Sequence, residues 1–459
     1  MFFLLKPVSF YPFRASQLWL LLLATGFFFT SCSAQKQLPA APAFFTQFLA
    51  DTVLQHAFTG VAVYDATARK YLLQHNSDKY FVPASNTKIP TLYAGLKYLG
   101  TQLPGLLYAR SADTLYLAPT GDPSFLHPDY SQQPVFDFLR TAGLPLAISN
   151  VNWKSNALGF GWAWDDFQSA YMAERSPFPV YGNVVTWTQE RIVETREGQT
   201  DTSTLIYTQP EINWPVLFAE ERSRSFDVNR PRTENRYTIR NSAETRRSVQ
   251  VPFVTNGLQG ALELLPDTLQ KNLQVVADIP AGLKMEILFS QPSDSLFRPL
   301  MHRSDNFFAE QTLLMVSRQL LGFMDEQRLI DTLLKSDLKG FPQPPKWVDG
   351  SGLSRYNLFT PEDFVWLLEK MKDEFGLERM QLLFPTGNTG TLRNYYIPEK
   401  GLLFAKTGTL SSHVALSGYL VTSKNRLLIF SVLVNNHYTS ATAIRRSVER
   451  FLQQVRKAY

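Results

Sequence analysis

The sequence contains a single cysteine, Cys32, so no disulfide bond can form within one chain. Its six histidines have none of the spacings typical of a zinc site, and Gly-x-Ser-x-Gly, Walker and dinucleotide-binding motifs are missing. The 45 Lys and Arg residues are nearly balanced by 40 Asp and Glu, and no basic tract is dense enough to attract nucleic acid. We therefore expect a protein without a metal, a cofactor or a nucleic-acid partner.

The first 34 residues have the features of an export signal. Lys6 and Arg14 give a positively charged start, and the apolar run that follows is too short for a membrane span of ~20 residues. Cys32 comes directly after this run, as in the lipobox of a bacterial lipoprotein. We predict that residues 1–34 are a signal peptide with cleavage before Cys32, which would then carry a lipid. The alternative is ordinary cleavage near residues 33 and 34; in both cases the mature protein lies in the periplasm or cell envelope.

The most informative stretch of the chain is a Ser-x-x-Lys pair, Ser85 and Lys88, where a helical pattern begins. Residues three apart lie on one face of a helix, so the hydroxyl and the amine can meet. The first turn of a helix also leaves backbone N–H groups that can hold a developing negative charge. A nucleophile, a base and oxyanion donors in one turn indicate acyl transfer.

Two further motifs distinguish Ser85 from the other serines of the chain. Ser304-Asp305-Asn306 and Lys406-Thr407-Gly408 follow it in this order and complete the Ser-x-x-Lys, Ser-Asp-Asn, Lys-Thr-Gly set. Ser-x-x-Lys also occurs at 33–36 and 336–339, as expected by chance. The three motifs in order predict a serine acyl-transfer site.

Both ends of the chain are predicted to contribute to one sheet. Apolar runs predict a hairpin near the start and three strands near the end, at 60–65, 70–73, 401–405, 414–421 and 427–434. An apolar stripe predicts a final helix over 441–455. We expect an α+β fold in which residues 35–100 and 292–459 form the catalytic domain.

The chain between Lys88 and Ser304 is longer than is needed to form the helical part of the catalytic domain. We therefore predict an inserted region at 101–291. Its polar, strand-rich middle, at about 186–247, is expected to be a nested β-rich module.

At this point the chain resembles D-alanyl-D-alanine carboxypeptidases/endopeptidases of the penicillin-binding protein 4 type, peptidase family S13. The resemblance runs from about residue 40 to the C-terminus. Beyond the three motifs it rests on Gly121–Ser124, Gly161–Asp166, Asp349–Asn357, Pro385–Gly387 and Gly390–Leu392. It implies a serine β-lactamase/DD-peptidase-like domain, an antiparallel sheet flanked by helices, that carries a large insertion. It also implies peptidoglycan stem peptides as substrates and β-lactams as covalent inhibitors.

The resemblance implies a role for each matching residue. In the chemical step Ser85 is the nucleophile, Lys88 the base and Ser304 the proton relay. Asn306 binds the substrate amide, Lys406 and Thr407 bind the terminal carboxylate, Gly408 allows close backbone approach, and Thr409 is an oxyanion donor beside the Ser85 N–H. To act as a base, Lys88 needs a pKa lowered by burial and by Lys406. The proton reaches Lys88 either directly or through Ser304.

The family also has a pocket for the diamino acid of the stem peptide. The resemblance assigns Arg355 to it, together with Asp165 or Asp166. One acid and one guanidinium complement a side chain that ends in an ammonium and a carboxylate.

Two other functions compete with a carboxypeptidase, and possible endopeptidase, activity. One is a β-lactamase or esterase on the same scaffold, which the long insertion disfavours. The other is a non-catalytic wall-binding or penicillin-sensing lipoprotein, against which stands the complete set of catalytic residue types.

Overall fold

The structure is a computed structural model that describes residues 41–196 and 199–459. The signal peptide predicted at 1–34 and the acylated Cys32 lie outside these residues. Among the helices that are described, none has the length and apolar character required to cross a bilayer.

The α-helices of the described residues, numbered along the chain, are α1 Ala43–Leu49, α2 Lys88–Tyr98, α3 Pro134–Thr141, α4 Gln259–Leu269, α5 Ser293–His302, α6 Asn306–Leu321, α7 Glu326–Lys335, α8 Pro361–Phe375, α9 Leu377–Leu383 and α10 Ala441–Ala458. The strands are β1 Phe58–Asp65, β2 Lys70–His75, β3 Gln102–Arg110, β4 Leu115–Pro119, β5 Leu146–Ile148, β6 Val184–Arg196, β7 Gln199–Gln209, β8 Val216–Phe218, β9 Asp227–Asn229, β10 Tyr237–Arg240, β11 Arg246–Pro252, β12 Leu273–Val275, β13 Glu286–Pro292, β14 Leu403–Leu410, β15 His413–Val421 and β16 Leu427–Asn435.

The sheet that carries the Lys-Thr-Gly motif is antiparallel, with strand order β14-β15-β16-β1-β2. The pairing of β1 with β16 joins the two ends of the chain, as the apolar runs predicted. Both faces are covered, and for this reason β15 and β16 are apolar along almost their whole length instead of alternating. The mixed α/β architecture with an antiparallel sheet agrees with the predicted α+β fold.

One face of this sheet packs on the terminal helices. Ser440 caps α10 by accepting a hydrogen bond from the Ala443 N–H. The apolar stripe of α10 is buried as predicted, and its Phe451 ring stacks on Phe48 of α1 with ring centroids 4.3 Å apart. The opposite face covers α2 and α5–α9, which form the largest hydrophobic cluster.

The region between β3 and β13 has a hydrophobic cluster of its own. It contains a second five-stranded sheet, of order β12-β5-β4-β3-β13, and two three-stranded sheets formed by β6–β11. Gln102 and Pro292 are register partners where β3 and β13 pair, so the two ends of this region meet. This supports the boundaries predicted at 101–291, which remain a prediction. The β-rich strands extend from 184 to 252, slightly beyond the predicted 186–247.

The segment before Ser85 does not form an extended strand. Residues 80–82 are strand-like in sequence, but they form only a single bridge, between Phe81 and Phe359. The backbone N–H and carbonyl of Val82 bond instead to the side-chain amide of Asn435, at 2.7 and 3.1 Å. These two bonds satisfy the backbone groups that a neighbouring strand would otherwise pair.

Candidate active site

The candidate nucleophile lies on a short 3-10 turn, Ala84–Thr87, that leads directly into α2. Ala84 has a left-handed backbone, with φ +48°. Strained backbone of this kind is concentrated at functional sites. Ser85 is half-buried, whereas Lys88 is completely buried.

The Lys88 amine is held by three oxygen atoms. Its Nζ lies 3.1 Å from Ser85 Oγ, 2.6 Å from Asn306 Oδ1 and 2.6 Å from the Ser351 carbonyl oxygen. A neutral amine has two N–H donors and one lone pair. The two carbonyl oxygens cannot donate hydrogen bonds, so they take both donors and leave the lone pair for the Ser85 hydroxyl.

Burial lowers the pKa of Lys88 to about 8, although the carboxylates of Asp349, Glu310 and Asp305 act in the opposite direction. Burial, and then the charge of Lys88, hold the pKa of Lys406 well below its usual value. For Lys88, burial is the cause of the lowered pKa, and the expected contribution of the second cation, Lys406, is not found.

The loop 349–357 holds the Ser351 carbonyl in place. The buried Asp349 carboxylate accepts hydrogen bonds from the Gly352 N–H at 2.9 Å, the Ser354 N–H at 2.7 Å and the Asn357 amide at 2.7 Å. The Ser351 N–H donates to Glu310 at 2.7 Å. Every polar group around this carbonyl therefore has a fixed partner, which makes Ser351 a rigid acceptor for Lys88.

The second and third motifs meet through Ser304 and Lys406. Lys406 Nζ lies 2.8 Å from Ser304 Oγ and 2.8 Å from the Thr407 carbonyl oxygen. Ser304 is in the left-handed region, with φ +61°, just before α6. Asp305 caps α6 by accepting from the Phe308 N–H at 3.0 Å.

Gly408 lies where β14 approaches the Ser85 turn. A Cβ atom at this position would be 2.6 Å from the Pro83 carbonyl oxygen and 3.1 Å from the Ser85 nitrogen. Only glycine allows the edge strand to come this close. The approach places β14, with Thr409 next along the strand, beside the nucleophile.

A cleft of about 500 Å³ opens at Ser85. It is lined by residues from both ends of the chain and from the insertion, among them Asn306, Arg355, Thr409, Trp162, Asp166 and Tyr171. Of the two candidate acids, Asp166 lines the cleft, whereas Asp165 is exposed and does not. Arg355 is exposed at the cleft and makes only long contacts, 3.4 Å to the Ser411 carbonyl oxygen and 3.5 Å to His413 Nδ1.

Tyr171, Glu310 and Arg175 were not predicted from the sequence as parts of the site, and neither were the bonds that Trp162 and Asn306 make there. Trp162 donates its indole N–H to Asp349 at 2.9 Å, and the Asn306 amide donates to the Tyr171 carbonyl oxygen at 2.9 Å. Glu310, at the back of the site, forms a buried ion pair of 3.3 Å with Arg175. Glu310 follows Phe307-Phe308-Ala309 on α6, and a charge beside such an apolar run is a signal that could have identified it. Arg175 lies between Glu174 and Ser176, and nothing in its sequence neighbourhood marked it.

Among residues 41–196 and 199–459, no group of three or more His, Cys, Asp and Glu side chains is arranged to hold a metal ion.

Comparison with known proteins gives consistent results. The model of the D-Ala-D-Ala carboxypeptidase 3 (S13) family matches residues 43–455. A D-alanyl-D-alanine carboxypeptidase of Actinomadura sp. (strain R39) is 26% identical over 432 residues, which cover 85% of this chain and 80% of that protein. Penicillin binding protein 4 (dacB) from Haemophilus influenzae has the same fold, with a TM-score of 0.69 and 19% identity over 89% of this chain and 98% of that one. Its complex with a β-lactam has a TM-score of 0.64 and 18% identity, with the same coverage.

Proposed function

The chain belongs to the D-Ala-D-Ala carboxypeptidase 3 (S13) family, and we propose that it releases the terminal D-alanine of peptidoglycan stem peptides through an acyl-enzyme on Ser85. It is a serine peptidase, as the motifs predicted. The observation that carries the proposal is the environment of Lys88. Two carbonyl oxygens take both donors of the neutral amine, and its lone pair is left for the hydroxyl of Ser85 at 3.1 Å.

Acylation begins with transfer of the Ser85 proton to Lys88. The short contact between the two groups favours direct transfer over a path through Ser304, whose hydroxyl is bonded to Lys406. Ser85 Oγ bonds to the carbonyl carbon of the penultimate D-alanine, and the peptide bond to the terminal D-alanine breaks. Ser304 passes a proton to the leaving amine, and the proton that Lys88 took from Ser85 replaces it, so that Lys88 is neutral again. Water then hydrolyses the ester and regenerates Ser85.

The Lys-Thr-Gly strand binds the two negatively charged groups of the reaction, which are the oxyanion and the terminal carboxylate. The N–H groups of Ser85 and Thr409 bind the oxyanion, since Gly408 lets β14 lie against the Ser85 turn. Lys406 and Thr407 bind the terminal carboxylate. An arriving carboxylate favours the charged form of Lys406, which counteracts the low pKa that burial gives the free enzyme.

The cleft accommodates the side chain of the stem peptide's third residue. We assign Asp166 to the ammonium and Arg355 to the carboxylate of that diamino acid, because both line the cleft that opens at Ser85. Trp162 forms part of its wall. Cleavage of D-alanyl cross-links, an endopeptidase activity, uses the same acyl donor and is included in the proposal.

A cell-envelope location and inhibition by β-lactams follow from this substrate. Peptidoglycan lies outside the cytoplasm, which agrees with the export signal predicted at 1–34. The solved complex of the Haemophilus influenzae protein with a β-lactam supports binding of β-lactams by this chain, and an acyl-enzyme on Ser85 would make that binding covalent. A lipid on Cys32 would hold the protein at the membrane surface.

The test is covalent labelling by a fluorescent penicillin, followed by assay of D-alanine release from a pentapeptide. The wild type should be labelled at Ser85 and should release D-alanine, whereas Ser85→Ala should do neither while melting at the same temperature. Labelling without D-alanine release would favour a penicillin sensor, and rapid turnover of the penicillin would favour a β-lactamase. Labelling of a folded Ser85→Ala protein at another serine would refute the assignment.

A further inference from the structure

Arg445, in the first turns of α10, reaches across to the Lys-Thr-Gly strand. Its Nη2 donates a hydrogen bond of 2.6 Å to the hydroxyl of Thr409. Side chains alternate along a strand, so Thr407 and Thr409 share one face of β14 and Lys406 points to the other. Arg445 and Thr407 also line the same small hollow. The guanidinium therefore contacts Thr409, and the Arg445 side chain lies on the same side of β14 as Thr407.

Among the described residues, this guanidinium has no acidic partner, unlike Arg446 and Arg450 on the same helix. Arg446 is paired with Glu449 at 2.6 Å, and Arg450 is paired with Asp51 at 3.0 Å. Within the described parts of the chain, no carboxylate lies within 4.0 Å of Arg445. Arg445 is only half-buried, so its remaining donors are open to an incoming anion.

Lys406 has few hydrogen-bond donors left for such an anion. It is fully buried, and two of its three donors are used by Ser304 and by the Thr407 carbonyl oxygen. One N–H remains for a group with two equivalent oxygens. A guanidinium offers parallel donors that match a carboxylate and do not lose their charge.

We infer that Arg445 is a second cation for the terminal carboxylate of the substrate, acting with Lys406 from the opposite face of β14. This deepens the proposed function, on which it rests. It makes Arg445 a determinant of specificity for a free C-terminus, because a substrate without that charge gains nothing from it.

The experiment compares two thioesters of an acyl-D-alanine. One has a leaving group with a free carboxylate, and in the other that carboxylate is a methyl ester. The thioester is reactive enough for both to be turned over. Arg445→Ala should reduce kcat/KM for the carboxylate substrate by about 10- to 100-fold, the size of a charge-assisted hydrogen bond, and should affect the ester much less. Arg445→Lys should restore part of the loss.

Arg450→Ala is the matched control, since it removes one positive charge from the same helix at a position paired with Asp51. It should keep the wild-type preference for the free carboxylate. Equal losses on both thioesters in Arg445→Ala would mean that Arg445 only supports β14, and no loss on either would mean that it has no role; both results overturn the inference. If Arg445→Ala still forms the acyl-enzyme on Ser85 by mass spectrometry, the proposed function stands whichever result is found.

Discussion

Gly352 offers the sharpest test of how the nucleophile is positioned. Gly352 has a φ of +83°, and a Cβ atom at this residue would lie 1.9 Å from the Ala84 carbonyl oxygen. Gly352→Ala therefore forces either the Ser85 turn or the 349–357 loop to move. Movement of the turn displaces Ser85, and movement of the loop displaces the Ser351 carbonyl that lies 2.6 Å from Lys88. A shift of about 1 Å at a catalytic group reduces the rate about 100-fold.

The control for this substitution is Gly322→Ala. Gly322 ends α6 with φ +85°, almost the same φ as Gly352, yet nothing lies within 4 Å of its Cβ position. Both variants have the left-handed strain of about 1 to 2 kcal/mol, and only Gly352→Ala adds overpacking of about 1 to 3 kcal/mol. We expect both to fold, with Gly352→Ala melting lower and acylating penicillin about 100-fold more slowly than Gly322→Ala. Equal acylation rates in the two variants would refute the claim that this contact positions the site.

Three further predictions concern the base, the specificity cleft and the lipid. The rate constant for penicillin acylation should rise with pH around a midpoint near 8, the pKa of Lys88, because only the neutral amine accepts a proton; a rate that falls across this range contradicts Lys88 as base. Asp166→Asn should reduce turnover of a diaminopimelate-containing peptide far more than acylation by a simple penicillin, and its matched control Asp165→Asn should affect neither; the reverse pattern would exchange the two residues. Cys32→Ser should move the protein from the detergent phase to the aqueous phase in a partition assay, unless the mature chain begins after residue 32.

The candidate catalytic residues could be proposed from the sequence because each motif is local. Ser85 and Lys88 are three residues apart, and helical geometry alone brings them together. What the sequence could not supply is the environment that sets the pKa of Lys88. The prediction named both burial and Lys406 as causes, whereas burial lowers this pKa without Lys406 and is opposed by Asp349 and Glu310. Those carboxylates come from α6 and from a distant loop, so only the folded chain reveals them.

Which acidic residue lines the cleft could not be predicted from the sequence either. The family resemblance narrowed the acid to two adjacent residues, and adjacent side chains of a short 3-10 segment point in different directions. Which of them faces Ser85 depends on how the segment 161–172 lies against α6. The structure places Asp166 at the cleft and leaves Asp165 exposed; its assignment to substrate stays a proposal.

Asn306 shows why the insertion and the catalytic domain act together. Its amide has two ends: the oxygen accepts from Lys88 at 2.6 Å, and the nitrogen donates to the Tyr171 carbonyl oxygen at 2.9 Å. Tyr171 belongs to the insertion. If that carbonyl were absent, the amide could turn and present its N–H₂ to Lys88, which would then lose an acceptor and the arrangement that leaves its lone pair facing Ser85. The insertion therefore contributes more than the wall of a specificity pocket, because a backbone carbonyl within it orients a residue that contacts the base.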